Sequence, residues 1–154
     1  MHLYLMQHGK SKSKDEDPDR ALTDEGRGEV ERVVAFLSAT AAFGGGAIRH
    51  SGKTRARETA ETLAAVFTDA SIEPADGLGP MDDPVTWVQR VGMADESLVL
   101  IGHLPHLARL TSLLLIGQDD RAPVSFSNGG MVCLERDDGG EWSLSWSITP
   151  ALMT

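Results

Sequence analysis

Two histidines and one arginine have the chemistry that binding and transferring a phosphoryl group requires. His8 and His103 each follow a short apolar run and stand beside a glycine, and Arg55 lies in the first turn of a helical pattern. A neutral ring nitrogen can attack phosphorus near pH 7, because the unperturbed pKa of histidine is about 6.5. A guanidinium offers a planar set of donors for phosphate oxygens. The three residues together indicate a phosphate-binding α/β domain, while each alone also has a structural interpretation.

The elements that must position these residues are short strands that alternate with helices. Continuous apolar runs predict strands over His2–Met6, Ala47–His50 and Ser97–Ile101. Apolar residues at helical spacing predict helices from Leu22 onward, with Thr23 as N-cap, over Lys53–Phe67, after Asp83-Pro84 and from Pro105. The stretch from residue 70 to residue 81, rich in proline and glycine, is expected to be mostly loop. Two final runs predict a hairpin, Met131–Glu135 and Trp142–Ile148.

This alternation predicts an α/β fold, namely a three-layer α/β/α domain with a mostly parallel sheet and a C-terminal antiparallel hairpin. The chain has 154 residues, and residues 1–154 are expected to form a single domain. In such sheets ligands bind beyond the carboxyl ends of the strands. The segments that follow the predicted strands are Gln7-His8-Gly9, Ser51–Arg55 and Gly102–Pro105. Gly9 is expected to let the backbone turn sharply and let a ligand approach closely.

Composition and charge narrow the class of partner. The formal net charge of −9 argues against nucleic acid or an anionic membrane as the main partner. Cys133 is the only cysteine, so no intramolecular disulfide can form and a reducing compartment is expected. The apolar runs are too short for a signal peptide or a membrane span. We therefore expect a soluble, cytoplasmic protein, and the absence of convincing metal-ligand spacing predicts no metal and no cofactor.

Four segments, in order, resemble the signature elements of the histidine phosphatase superfamily, the phosphoglycerate mutase-like proteins. Met6–Ser11 resembles the Arg-His-Gly element, and Arg20–Gly26 resembles the Arg-x-Leu-Thr-x-x-Gly element that follows it. His50–Ala60 is similar to the Ser-x-x-x-Arg-Ala-x-x-Thr-Ala stretch, and Val99–Pro105 matches the Gly-His-x-Pro element. The resemblance covers nearly the whole chain. The chain is short and lacks lid insertions, and these two features make it most similar to the SixA-type phosphohistidine phosphatases.

The resemblance implies a role for each matching residue. His8 would be the nucleophile, Arg55 would hold the phosphoryl oxygens, and His103 would donate a hydrogen bond to them. Other residues expected to contact the substrate are Gln7, Gly9, Lys10 and Arg20. Gln7 departs from the pattern, because the family has arginine there, and glutamine offers amide donors but no charge. The cations that could compensate for this loss are Lys10, Lys12, Lys14 and Arg49.

Three functions remain open at this point. The first is removal of a phosphoryl group from phosphohistidine on a partner protein, such as a histidine-phosphorylated signalling or carrier domain. The leaving group of phosphohistidine is an imidazole, which is far less basic than an alkoxide. It therefore depends less on protonation by a general acid. The second is hydrolysis of a small phosphomonoester with Asp82 or Asp83 as general acid, although Asp83 before Pro84 also suits helix capping. The third is a non-catalytic phosphate-binding relative, which Gln7 suggests.

Overall fold

The apolar runs form the strands of one mixed sheet. The computed structural model describes residues 1–153. The strands are β1 (His2–Gln7), β2 (Ala47–His50), β3 (Ile72–Pro74), β4 (Leu98–Gly102), β5 (Met131–Arg136) and β6 (Trp142–Ile148). Their order in the sheet is β3-β2-β4-β1-β5-β6. The four strands from β3 to β1 are parallel, and β5 and β6 each run antiparallel to the strand before them in this order. The expected parallel sheet with a C-terminal antiparallel hairpin is confirmed.

Four helices and a final 3₁₀ turn connect these strands. They are α1 (Asp24–Ser38), α2 (Thr54–Ala64), α3 (Val85–Met93), α4 (His106–Ile116) and the turn Pro150–Met153. The predicted cap of α1 is confirmed, since Thr23 Oγ1 accepts a hydrogen bond from Gly26 N at 2.9 Å. α2 ends at Ala64, before the predicted Phe67, because a tighter turn closes it with Val66 N bonded to Leu63 O. Within residues 1–153, no helix is long and apolar enough to cross a membrane.

Helices cover both faces of the sheet. α1 and α2 pack on one face, against a buried cluster that includes Tyr4 and Met6 of β1. α3 and α4 pack on the other face, against a cluster that includes Leu3 and Leu5. Successive side chains of a strand point to opposite faces, so the continuous apolar run of β1 contributes to both cores. This arrangement is the predicted three-layer α/β/α fold, and it holds the end of β1 rigidly at the centre of the sheet.

One strand was not predicted. β3 lies in the stretch that the sequence marks as loop, and Ile72, Glu73 and Pro74 pair in parallel with the last three residues of β2. Three residues that end in proline give no apolar run. Proline lacks the N–H that an inner strand needs, but an edge strand tolerates it. The order of this strand therefore comes from its pairing with β2 rather than from its own sequence.

The hairpin differs from strict alternation at one point. Cys133 pairs with Trp146 and Leu134 pairs with Leu144, so Ser145 is an extra residue in β6. One inserted residue changes the face to which the rest of the strand points. As a result Trp146 packs on the α1/α2 side of the sheet and Trp142 packs on the α3/α4 side.

Candidate active site

The carboxyl ends of β1, β4 and β2 bring the three candidate residues together. Gln7 pairs with Gly102 across β1 and β4, and His8 N donates to Gly102 O at 3.1 Å. The imidazole rings of His8 and His103 lie with their centroids 4.9 Å apart. Arg55, in the first turn of α2, points its Nε at His8 Nε2 at 3.3 Å. The predicted phosphate site thus has a nucleophile candidate, a donor candidate and a cation within contact distance of one another.

The ring of His8 is fixed in one tautomer. Its Nδ1 lies 2.7 Å from Gly9 O, and a carbonyl oxygen can only accept, so Nδ1 carries the proton. Nε2 then has a free lone pair, which accepts from Arg55 Nε. Burial, opposed by the hydrogen bond to the Gly9 carbonyl and assisted by the charges of Arg55 and Arg20, lowers the pKa of His8 to about 4. At pH 7 the folded chain therefore presents a neutral imidazole with an unprotonated Nε2.

Side chains from two other segments hold the backbone around His8. Asn128 Nδ2 donates to His8 O at 3.0 Å, from the loop before β5. Thr59 of α2 is fully buried; its Oγ1 accepts from Gly9 N at 3.0 Å and donates to Arg55 O at 2.7 Å. Because one hydroxyl contacts both backbones, Thr59 couples the position of Arg55 to that of His8.

Gly9 and Gly26 are required by close packing rather than by a sharp turn. A Cβ on Gly9 would lie 2.9 Å from Val30 Cγ2 and 3.1 Å from Gly26 O, both in α1. A Cβ on Gly26 would clash with the backbone carbonyl of Lys10. The two glycines let α1 pack directly on the chain that leaves β1. The physical reason for Gly9 is therefore helix packing, where the sequence suggested a turn and ligand approach.

His103 is more deeply enclosed than His8. The residue is 2% exposed, and burial first, followed by the charges of His8, Arg55 and Lys53, lowers its pKa to about 3. Its Nε2 lies 2.6 Å from Ser51 Oγ at the end of β2. Its Nδ1 is buried and has no hydrogen-bond partner among residues 1–153. The ring is neutral at pH 7, and one of its polar atoms is left for a ligand.

The cations on the α2 side of the site carry no counter-charge. Among residues 1–153, neither Arg55 nor Arg20 forms an ion pair with a carboxylate. Arg20 has a left-handed backbone with φ of 52°, and its Nε donates to Lys12 O at 3.1 Å. Burial first, and then the charge of Arg20, lower the pKa values of both His8 and Arg55. Two unneutralised guanidiniums suit a doubly charged phosphoryl group.

The other two residues expected to contact substrate are placed differently from each other. Gln7 is 9% exposed at the end of β1, and its Oε1 is buried without a donor among the described residues. Lys10 is turned toward α1, where its Nζ lies 2.8 Å from Glu25 Oε1 and 2.7 Å from Glu29 Oε1. These ion pairs raise the pKa of Lys10 to about 12. Gln7 therefore adjoins the site, whereas the ammonium of Lys10 is engaged by two carboxylates.

An open cleft of about 840 Å³ adjoins the site on the β2/β3 side, where Ser51 and Lys53 line it together with the loop from Ala75 to Asp82. Asp82 Oδ2 accepts from Gly79 N at 2.7 Å, and Asp83 Oδ1 accepts from Val85 N at 3.0 Å. Asp82 thus bonds within its own loop, and Asp83 accepts from the first residue of α3. Among residues 1–153 there is no group of three His, Cys, Asp or Glu side chains that could hold a metal ion.

Three residues that hydrogen-bond to the site were given no role from the sequence. Ser51, Thr59 and Asn128 contact the site through hydrogen bonds between elements that are distant in the chain. Ser51 and Thr59 both lie in the segment that resembles the family's third element. That match was the available signal, but it did not indicate what either hydroxyl contacts.

The fold and the site define an α/β domain with a cationic pocket at the carboxyl edge of its parallel strands. The family model "Histidine phosphatase superfamily (branch 1)" matches residues 3–82, and the chain belongs to this superfamily. A relative from Picosynechococcus, an uncharacterized protein, is 34% identical over 125 residues, which are 77% of this chain and 75% of the relative.

Solved structures agree on the fold. A structure described as the protein histidine phosphatase SixA complexed with tungstate matches with a TM-score of 0.83 at 23% identity, over 100% of both chains. The α-ribazole phosphatase from Shigella flexneri matches with a TM-score of 0.79 at 11% identity, over 97% of both chains. The two similar structures come from phosphatases with different substrates, so the fold itself does not select between them.

Proposed function

We propose that the protein is a phosphatase that removes the phosphoryl group of phosphohistidine on a partner protein, through a phosphohistidine formed at His8. The observation that carries this proposal is the neutral His8, whose Nε2 faces Arg55. Membership of the histidine phosphatase superfamily supports the phosphatase activity. Both the phosphohistidine substrate and the identity of the partner, a signalling or carrier domain, are part of the proposal.

In the first step the lone pair of His8 Nε2 attacks phosphorus. A P–N bond to His8 forms while the P–N bond of the substrate breaks, and the leaving imidazole takes the electron pair of the broken bond and a proton from bulk solvent. Arg55 moves from Nε2 to the phosphoryl oxygens, where Arg20 and His103 add donors. Phosphoryl transfer depends mainly on in-line positioning and charge neutralisation, which these groups supply.

In the second step water attacks the phosphorus of the phosphoenzyme. The bond from His8 Nε2 to phosphorus breaks, inorganic phosphate leaves, and the proton released by water passes to bulk solvent. His8 returns to its neutral form, with the hydrogen bond from Nδ1 to Gly9 O unchanged. The carbonyl stabilises the positive charge that the ring carries while it is phosphorylated, which makes it an orienting group in both steps.

The leaving group is the reason for preferring phosphohistidine. His8, Arg55 and His103 have no carboxylate among their hydrogen-bond partners within residues 1–153. Asp82 is bonded to a backbone N–H group of its own loop, and Asp83 to the first backbone N–H of α3. An alkoxide needs a proton donor as it leaves, whereas a far less basic imidazole needs much less help. A site without a carboxylic acid in contact therefore suits a phosphoramidate better than an alkyl phosphate.

A small phosphomonoester is the second candidate substrate. The 840 Å³ cleft adjoins His103 through Ser51, and Asp82 lies in its lining. A loop movement that released the Asp82 carboxylate from Gly79 N would supply the missing acid. In that case turnover of the ester depends on Asp82, and turnover of phosphohistidine does not.

The test is phosphate release by the full chain from a histidine-phosphorylated carrier domain, with p-nitrophenyl phosphate run in parallel. The variants are His8→Ala and, as control, His2→Ala at the opposite end of β1. We expect His8→Ala to lose at least about 10³-fold in kcat/KM, because the nucleophile is gone. His2→Ala is expected to stay within about 2-fold, since a change remote from the reacting groups leaves transition-state binding intact.

Each other outcome has a defined meaning. Turnover of the ester alone, lost in an Asp82→Asn variant, assigns the second candidate. Stoichiometric labelling of folded His8→Ala by substrate phosphate contradicts the His8 intermediate. Phosphate binding without turnover of either substrate shows a non-catalytic relative, which is the function that Gln7 suggested.

A further inference from the structure

Ser51 joins the phosphate site to the neighbouring cleft and makes two hydrogen bonds with its hydroxyl. Ser51 Oγ lies 2.6 Å from His103 Nε2, and it accepts from Lys53 N at 3.4 Å. Neither bond is part of the mechanism described above. The first is the only hydrogen bond that the ring of His103 makes within residues 1–153. Within the described residues, the direction of this one hydrogen bond therefore decides which nitrogen of His103 carries the proton.

A neutral imidazole has one N–H, and only one of two arrangements helps a phosphoryl group. If Nε2 carried the proton, it would donate to Ser51 Oγ, and Nδ1 would be a buried lone pair that repels phosphoryl oxygens. If Ser51 donates instead, Nδ1 carries the proton and is a buried donor without a partner. Phosphoryl oxygens are acceptors, so they complete the second arrangement and not the first.

The surroundings of both atoms favour the second arrangement. The bond that Ser51 Oγ accepts from Lys53 N occupies one of its lone pairs and leaves its hydrogen for His103. His103 is 2% exposed and its pKa is lowered to about 3 by burial first, so a doubly protonated ring is excluded near neutral pH. A buried donor that lacks a partner is costly in the free chain and gains a partner when the phosphoryl group binds.

We propose that Ser51 is a positioning residue, which sets the Nδ1–H tautomer of His103 so that Nδ1 donates to the transferring phosphoryl group. The catalytic part of this inference rests on the proposed function, while the tautomer and the donor can be measured without turnover. The hydroxyl acts only through His103 and does not touch the phosphoryl group. Its place between α2 and His103 also explains why a serine, rather than an apolar residue, directly follows β2.

The first experiment reads the tautomer directly. Long-range ¹H–¹⁵N spectra of the histidine rings are recorded on the full chain at pH 7.5, with His103 assigned from a His103→Gln variant. The wild type is expected to show Nδ1–H. Ser51→Ala is expected to shift toward Nε2–H, and Ser51→Thr, which keeps the hydroxyl, is expected to retain Nδ1–H. An Nε2–H wild type, or an unchanged tautomer in Ser51→Ala, overturns the proposal.

The second experiment measures how much the proposed His103 Nδ1 donor contributes to turnover and to the binding of a phosphate analogue. Ser51→Ala is expected to lower kcat about 10- to 100-fold with little change in KM, because one hydrogen bond to a charged transition state is lost. Orthovanadate affinity, measured by calorimetry, is expected to fall by a similar factor, and Ser51→Thr restores both. Ser38→Ala, an exposed serine of α1, is the matched control.

The two measurements separate this inference from the proposed function. A wild type with Nδ1–H that binds orthovanadate more tightly than Ser51→Ala, yet turns over no substrate, retains the role of Ser51 and rejects the phosphatase. Equal kcat and equal orthovanadate affinity in wild type and Ser51→Ala reject the role of Ser51 and leave the phosphatase intact. If Ser51→Ala does not fold, the wild-type and Ser51→Thr spectra still decide the tautomer.

Discussion

Two cationic side chains, Lys10 and Arg55, flank the end of β1 and differ in what neutralises them. Lys10 follows the nucleophile candidate by two positions, but Glu25 and Glu29 of α1 hold its ammonium at 2.8 and 2.7 Å. Arg55 is distant in the chain, contacts His8 directly, and has no ion pair among the described residues. A phosphate must displace two carboxylates to reach Lys10 and none to reach Arg55. We therefore expect local charge balance, rather than distance along the chain, to decide which of the two cations binds phosphate.

The strongest test of this comparison is to remove the unneutralised cation. Arg55→Ala is expected to lower kcat/KM about 10²- to 10³-fold, because a charge-assisted clamp on the transferring oxygens is lost. Steady-state kinetics on the substrate that the wild type turns over measure the loss. Arg57→Ala is the matched control, since Arg57 lies in the same helix but is half exposed and is paired with Glu61. A loss below about 3-fold in Arg55→Ala contradicts the assignment, since charge-assisted bonds are worth more than that.

The comparison is extended by adding a cation at the end of β1. Gln7→Arg adds a third guanidinium to those of Arg55 and Arg20, at the place where Gln7 Oε1 now lacks a donor. We expect kcat/KM to rise about 10-fold, because a charge-assisted contact replaces a neutral one. Gln7→Leu, which has neither donor nor charge, is the control in the same assay. If Gln7→Arg is no more active than Gln7→Leu, the pocket does not accept a further positive charge at this position.

The smallest effect on kcat/KM is expected from removing the cation on the α1 side, Lys10. Lys10→Met is expected to change kcat/KM by less than about 2-fold, because Glu25 and Glu29 already cancel the charge that is removed. The same phosphate-release assay measures it. Glu29→Gln is the complementary variant, since it frees part of the Lys10 charge and is expected to strengthen phosphate binding. A large loss in Lys10→Met shows that Lys10 leaves its carboxylates when substrate binds.

Much of the fold was predictable because burial leaves a clear pattern in the sequence. β1 and β4 are buried on both faces and appear as continuous apolar runs, and α1 has an apolar face with Thr23 as its cap. β3 was not predictable, since three residues ending in proline depend on β2 for their order. The extra residue Ser145 in β6 was not predictable either, because the change of face depends on the register with β5.

For the candidate site, the sequence indicated residues that come together in the fold, but not the contacts that they make. Strand ends and the family resemblance indicated His8, Arg55 and His103, which the structure brings together. The partners of these residues depend on where hydroxyl groups of other elements lie, so Ser51 and Thr59 received no role. Lys10 was expected to contact substrate, but its ammonium is paired with carboxylates of α1. These ion pairs follow from helix packing that no motif describes.

The hydrogen bond between His8 Nδ1 and Gly9 O has a consequence for the covalent state of the chain. A phosphorylated imidazole exists as two isomers, with phosphorus on the π nitrogen (Nδ1) or on the τ nitrogen (Nε2). The carbonyl 2.7 Å from Nδ1 leaves no room for phosphorus there, so a phosphoryl group on His8 forms only the τ isomer. A single backbone oxygen thus blocks Nδ1, and it determines before substrate binds which nitrogen of His8 can be phosphorylated.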